Sequence, residues 1–580
     1  MEPPPIATSP PKLVVFWRAA LCLAVLWLGI AFEVPGARPD WAAPTAQEQA
    51  WGWDETMHAE LPAVQMLLHT RRGEWYEAME VVHECDRYPF AYPMALAAWQ
   101  GIFGVSQRTA RRLGSVLFGL LVLLAVGLGV QVVRRDRRLD TALFVALAAV
   151  SAPLARRYAP TLFLEVPALV LIACSLSVWI VRRRAEIGTK KRLGLDLAAG
   201  FLIAATFFTK FNYALLLGIA IGLDSLFELV SAKGQRGTWV SLVRTVLPLA
   251  CGLAWWFLLP LPLGAEVAAE HRGDFMEFVT GNFEMKIERW RRITNWLTGV
   301  ASHSFVFASL VGLGVTFLLR HRTRGGLTLG LGLLAFVVPI VSHPFQLDRF
   351  LLPAALVLWV VGGAGAAMFL RAAPRLFTAC ALGLGIACAQ VPVITTAAWL
   401  GFPLVEEGNP VREFQEHIVG RALSLFGPPA SNGLTRDVHE EIMDLIAEGV
   451  GTEDSVGWLG QSSEISPASL HLGLLERGGS AERFLQFAPG PMDIELLPSN
   501  VRTDFSQEEL LAFARQFDYV VVPSVSDLMA RGGRGWVAEA WHQPLRDWPD
   551  AEWRTLGSVV VDMFSRGALP VTLQLVSVPE

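Results

Sequence analysis

Charge is scarce in this sequence. Asp, Glu, Lys and Arg together make up 17 % of its 580 residues, where an ordinary soluble domain carries about 25 %. Cysteine is scarce as well. Of Cys22, Cys85, Cys174, Cys251, Cys380 and Cys388, only Cys85 lies clearly between apolar runs, so no disulfide framework is legible. Cys380 and Cys388 share one apolar run, more than two helical turns apart, which is too far to bridge. Lysine is missing altogether from residues 399–580. The chain has no HExxH, no Cys/His ligand pairing and no DxD. The scarcity of charge and cysteine excludes a disordered scaffold and a secreted disulfide-stapled protein, and nucleic acid is not among the expected partners.

What is present is apolar: 53 % hydrophobic residues and a mean hydropathy of +0.42. Long apolar runs recur through the first two thirds, separated by basic clusters, which excludes a soluble globular enzyme. The expected spans are 13–32, 112–133, 139–155, 161–181, 193–209, 212–230, 243–262, 302–319, 327–342, 349–370 and 376–398. The first reads as an anchor, because no small-residue cleavage site follows Phe32 and Glu33. The chain is thus expected to be a polytopic α-helical membrane protein of about eleven spans.

The net charge of −5 averages two unlike parts. Residues 1–398 hold 36 basic against 26 acidic side chains; residues 399–580 hold 12 arginines against 27 acids. The break falls where the last apolar run ends, so an acidic soluble domain, 399–580, follows a basic membrane domain, 1–398. With the N-terminus cytoplasmic, alternation places six basic clusters in succession inside, from Lys12 and Arg18 to Arg371 and Arg375. The loops 33–111 and 263–301 and the acidic tail then lie outside, in the periplasm of a plasma-membrane protein. The inside loops are short and basic, and chemistry is expected outside.

The first external loop carries Trp51-Gly52-Trp53-Asp54-Glu55, ahead of Met57, Leu61, Val64 and Leu68 at helical spacing. Such a helix could lie in the membrane interface. Asp54 is either a cap at its N-terminus or a catalytic carboxylate. Further on, Tyr88-Pro89-Phe90-Ala91-Tyr92-Pro93 precedes an apolar stretch ending at Phe103-Gly104, and Arg111-Arg112-Leu113-Gly114-Ser115 opens the next span.

In that order these features resemble the polytopic GT-C glycosyltransferases, in particular bacterial relatives of protein O-mannosyltransferases and of the lipid A aminoarabinose transferase. Leu164-Glu165-Val166-Pro167 resembles the start of the group's fourth span, and Thr209-Lys210 its recurrent Thr-Lys. Asp348-Arg349-Phe350-Leu351-Leu352-Pro353 resembles its Arg-Tyr-x-Leu-Pro helix start. Departures are Glu165, where Asp is commoner, Phe350 in place of Tyr, and Phe90-Ala91 where Pro-Leu is frequent.

The resemblance implies transfer of a sugar from a polyprenyl-phosphate carrier to a glycan, lipid or protein acceptor outside the cytoplasm. It makes Asp54 the base candidate and Glu55 its neighbour. The departing phosphate needs cations, for which Lys210 and Arg349 are the candidates; the alternative for each is a long side chain snorkelling to the interface. Glu165 could orient the sugar or acceptor, or merely pair with Arg156 or Arg157. His58 and His343 are further substrate-binding candidates. In the second loop, Ile287, Trp290, Thr294 and Leu297 mark one helical face beside Arg291 and Arg292, which grip anionic headgroups or contact carrier or acceptor. No cofactor and no catalytic metal are expected. The other readings are a lipid-linked substrate transporter or flippase, against which stands the absence of a convincing internal repeat, and a non-catalytic membrane-anchored binding protein.

The tail alternates helical patterns with β-branched runs: helix over Asp437–Ile446, Pro467–Glu476 and Ser506–Gln516, and strands over Val456–Leu459, Asp518–Pro523, Ser558–Phe564 and Val571–Val578. A small α/β domain with a largely parallel sheet and a final hairpin is expected. It holds no phosphate-binding glycine loop or nucleophile elbow. Trp536, Trp541, Trp548 and Trp553 could stack on sugar rings or fill an ordinary core.

Overall fold

The computed structural model describes residues 12–33, 59–84, 90–151, 164–183, 189–231, 236–259, 267–269, 271–273, 305–320, 324–342, 352–375, 436–450, 454–459, 470, 484–487, 511–512, 514–524, 547, 551–563 and 567–578. The long helices are α1 (Lys12–Glu33), α5 (Gln107–Val132), α6 (Arg138–Ser151), α7 (Glu165–Arg182), α8 (Thr189–Phe207), α9 (Phe211–Ser231), α10 (Arg236–Leu258), α11 (Phe305–Arg320), α12 (Arg324–Ser342) and α13 (Leu352–Ala372). Each of the first ten expected spans coincides with one of them; the eleventh, 376–398, lies outside the described residues. Five stretches are long and apolar enough to cross a membrane by length and composition: Thr109–Val132, Glu165–Arg182, Phe211–Ser231, Gly237–Leu258 and Leu352–Ala372.

The bundle is turned inside out relative to a soluble protein. Leu123, Phe201, Val230, Leu319 and Leu334 are exposed on the helices, while Asp140, Glu165, Asp196 and Asp224 are buried. Water would penalise both choices, whereas hydrocarbon favours the first and forces ionisable groups inward to find partners. The most enclosed helix is α13, which packs against α11, α6 and α12. Its glycines permit that approach. A Cβ on Gly363 would stand 2.6 Å from Val145 Cγ2, and one on Gly365 would collide with the Leu313 carbonyl. At the α8–α10 crossing, a Cβ on Gly200 would lie 2.8 Å from Pro248 Cδ.

The segment expected as a long first loop folds into three further helices: α2 (Leu61–Arg72), α3 (Trp75–Glu84) and α4 (Ala91–Phe103). Helix α2 stops where Gly73 takes φ 80° and its N–H turns back to the carbonyls of His69 and Thr70. The next span begins earlier than expected, because Ser106 caps α5 by accepting the Thr109 N–H. The buried side of α2 is Pro62, Ala63, Val64 and Met66, with Leu68 only half-buried. It packs with Tyr92, Leu96, Ala110 and Leu164 into a compact platform at one end of the bundle.

The tail holds α14 (Arg436–Gly449) and strands β1 (Val456–Leu459), β2 (Phe484–Phe487), β3 (Tyr519–Ser524), β4 (Glu552–Met563) and β5 (Gly567–Ser577), in sheet order β2-β1-β3-β5-β4. The sheet is mixed rather than largely parallel. Strand β1 runs parallel to β2 and β3, and the β4–β5 hairpin joins antiparallel to β3, with Val520 opposite Val576. Val521 faces Ile442, Met443 and Ile446 of α14, while Val520 and Val522 face a second small core with Ala514 and Val576. Trp553 packs against that second core; Trp536, Trp541 and Trp548 lie outside the described residues.

Candidate functional site

Two sequence candidates, Glu165 and Lys210, come together at the platform end of the bundle. Glu165 opens α7, where a negative side chain is favoured by the exposed N–H groups of the first turn. Lys210 occupies the break between α8 and α9. The end of α8 is drawn in by Thr206 and Thr209, whose hydroxyls donate to the Leu202 and Ala205 carbonyls. The Lys210 N–H then bonds to the Thr206 carbonyl, and the Lys210 carbonyl accepts the Tyr213 and Ala214 N–H groups that begin α9. A cation at a helix N-terminus is unfavourable by itself. Here Lys210 Nζ donates to Glu165 Oε1 at 2.6 Å, and it lies 5.3 Å from the centre of the Tyr213 ring. Both side chains are buried. Lys210 therefore does not snorkel, and it is a partner of Glu165; Arg156 and Arg157 lie outside the described residues.

The platform is fastened directly to this break. The Ala91 N–H at the start of α4 donates to the Phe208 carbonyl at 2.8 Å, and the Phe90 and Phe208 rings meet with centroids 5.3 Å apart. Leu164, next to Glu165, belongs to the platform core. Two further polar groups lie in the platform, of which Glu60 is not a sequence candidate. Glu60, just ahead of α2, is fully buried and accepts from Gln100 Nε2 of α4 at 3.2 Å. His83, in the last turn of α3, stacks on Trp256 near the end of α10 and on His271. No motif or period in the sequence marks Glu60.

A second charged cluster lies at the opposite end of the bundle. Arg182 donates to Asp196 at 2.6 Å, to Glu228 at 2.8 Å and to Ser241 at 2.6 Å, joining α7, α8, α9 and α10. Asp224 accepts from Trp179 Nε1 at 2.6 Å and from Thr328 of α12 at 3.3 Å. Separately, Asp140 of α6 receives Arg18 of α1 at 2.6 Å and Arg371 of α13 at 3.3 Å. These ion pairs join side chains from different helices and so bind the helices to one another.

Asp54, Glu55, His58, Arg291, Arg292, His343 and Arg349 lie outside the described residues. Among the described residues no group of three or more His, Cys, Asp or Glu is arranged to hold a metal.

The fold has solved counterparts. ArnT from Cupriavidus metallidurans in the apo state superposes with a TM-score of 0.58 at 14 % identity, over 96 % of this chain and 97 % of that one. The same protein bound to undecaprenyl phosphate gives a TM-score of 0.55 at 14 % identity, over 96 % and 98 %. No protein-family model and no curated protein sequence matches the chain. The chain has the fold of ArnT.

Proposed function

We propose that this chain, built on the fold of ArnT, is an integral-membrane glycosyltransferase that moves a sugar from a polyprenyl-phosphate carrier to a glycan, lipid or protein acceptor at the outer face of the membrane. The observation that carries the reading is the likeness to ArnT over 96 % of the chain, including its undecaprenyl-phosphate-bound form, with Glu165 and Lys210 paired at one end of the bundle.

In this reading about eleven spans place the N-terminus in the cytoplasm and the acidic domain, 399–580, in the periplasm. Asp54 takes the proton of the acceptor as the new glycosidic bond forms, with Glu55 beside it. The bond from sugar to carrier breaks, and its electrons leave with the phosphate. That charge is received by Lys210 and Arg349, the lysine as a point charge and the arginine as a fork. Glu165 holds Lys210 in place by their hydrogen bond until the phosphate arrives. The incoming anion then shares the lysine with a carboxylate already in place. Arg291 and Arg292 hold the carrier's headgroup region at the interface, and His58 and His343 contact substrate. No metal takes part.

The test uses membranes containing the full chain, a labelled polyprenyl-phosphate sugar, and an envelope extract as acceptor. Transfer should require the protein and disappear in Asp54→Asn, while that variant keeps the thermal transition of the parent. Undiminished transfer by Asp54→Asn would remove the proposed base, and binding of the carrier without turnover under any acceptor would replace the enzyme by a binding protein.

A further inference from the structure

Helix α4 turns an apolar face outward. None of its 13 residues is charged, and Tyr92, Pro93, Leu96, Ala97 and Gln100 point into the platform. The opposite side is Met94, Ala95, Ala98, Ile102 and Phe103, all exposed, with Ile102 at 76 % and Phe103 at 57 %. The neighbouring platform helices differ. Helix α2 exposes Arg71 and Arg72, and α3 exposes Glu77 and Glu80 after Trp75 and Tyr76. The run expected to lie in the membrane interface instead puts Val64 into the platform core and leaves Leu68 half-buried. A continuous apolar face of this kind is unfavourable in water.

The place of the face in the fold points to what covers it. Helix α4 is pinned to the first turn of α5. Trp99 Nε1 donates to the Thr109 carbonyl at 2.8 Å, and the Trp99 and Phe103 rings meet with centroids 4.2 Å apart. Along α5 the exposed positions then change from Arg112 to Val116, Leu120 and Leu123. An arginine giving way to apolar residues within one turn of a span marks the headgroup level of a bilayer. Only about 8 Å of helix separates the start of α5 from Arg112, and Phe103 precedes that start by a short turn through Gly104 and Ser106.

We propose that α4 is a membrane-contact helix, lying in the interface of the leaflet on the platform side with Met94, Ala98, Ile102 and Phe103 against phospholipid acyl chains. The lipid-facing surface then continues from α5 onto α4, while α3 keeps Glu77 and Glu80 in water. A protein partner seated on α4 would have to displace lipid from the top of α5 as well. The contact also sets a depth. Ala91 opens α4 by donating its N–H to the Phe208 carbonyl, two residues from Lys210. The helix that rests on lipid is thus bonded to the break that carries the Glu165–Lys210 pair.

The test places the photoreactive residue p-benzoylphenylalanine at Met94 or Ile102 of the full chain, one position at a time, and irradiates native membranes. The same residue at Leu123 supplies the yield of a lipid-facing site on α5, and at Glu80 that of a water-facing one. Mass spectrometry should find phospholipid adducts at Met94 and Ile102 as at Leu123, and their loss at Glu80. A cross-link from Ile102 to a second copy, or to another segment of the same chain, in place of lipid overturns the proposal. So does a lack of lipid adducts at both positions where Leu123 yields them. The unsubstituted chain gives a second readout, independent of how a substituted one folds. Reconstituted with phospholipid that carries a photoactivated carbene on its acyl chain, it should be labelled on α4 and α5 but not on the turn of α3 that holds Glu77 and Glu80. Labelling of α5 without α4 overturns the proposal. Neither readout involves sugar transfer, so a failed transferase assay would leave the contact standing and count against the proposed function alone.

Discussion

Lys210 and Glu165 stand 45 residues apart in the chain and 2.6 Å apart in space, both buried. A buried ion pair adds little net stability, but removing one member strands a charge and costs about 3–5 kcal/mol. Lys210→Met and Glu165→Gln should therefore each lower the thermal transition sharply. The double variant should recover most of the loss, because no charge is left uncompensated. Transfer should stay absent in the double variant, since the phosphate has lost its lysine. Recovery of stability with recovery of activity would show that the pair only holds the bundle together.

The opposite end of the bundle gives a contrasting expectation. Arg182 is the shared partner of Asp196, Glu228 and Ser241. Arg182→Met should destabilise by about 3–5 kcal/mol through the stranded Asp196 carboxylate. The molecules that remain folded should keep their transfer rate, because the cluster lies at the far ends of α7 and α9 from the Glu165–Lys210 pair. Denaturant or thermal unfolding in detergent, paired with a transfer assay normalised to folded protein, separates the two quantities. A folded Arg182→Met with a lost transfer rate would mean the cluster reaches the site.

Helix α13 supplies a packing test. Gly363 meets Val145 so closely that a Cβ would stand 2.6 Å from its Cγ2 and 2.8 Å from its backbone nitrogen. Backbone cannot yield as a flexible side chain can. Gly363→Val should cost about 1–3 kcal/mol or prevent folding. Gly312→Val, on a neighbouring helix with open space around its Cβ position, should be tolerated. Equal expression and equal thermal transitions for the two variants would show that the α6–α13 crossing is looser than these distances.

Hydropathy alone located the ten long helices described, with ends displaced by up to about seven residues, because a long apolar run has few other destinations. The errors came where local chemistry overrode the run. Ser106 starts α5 early by capping it, and the platform helices α3 and α4 are too short to register as membrane spans. Side-chain partners were the illegible part. Arg182 and Arg183 read as solvated topology signals in a basic cluster, yet the chain folds them inward onto Asp196, Asp224 and Glu228. Those acids come from α8 and α9, and no spacing in the sequence links them to α7. Glu165 and Lys210 were recognisable one at a time through the motifs around them, but not as each other's partner.

Gln100 offers the last test, and it reaches the part of the first loop that precedes the platform. Its Nε2 donates to the buried Glu60 carboxylate at 3.2 Å, tying α4 to the turn immediately before α2. Asp54 and Glu55 enter the chain just upstream of that turn. Gln100→Leu keeps the bulk of the side chain and removes the donor, so one buried carboxylate bond is lost, about 1.5–3 kcal/mol. The platform should remain folded through its apolar core of Val64, Tyr92 and Leu96. If Asp54 is the base proposed above, transfer should fall chiefly in kcat, with the apparent affinity for the carrier kept, because the substitution acts on the turn that follows Asp54 in the chain and leaves Lys210 untouched. Gln100→Glu should fare worse, since it sets a second carboxylate against Glu60. Parent-like kcat in Gln100→Leu would detach the Glu60–Gln100 bond from the placement of Asp54.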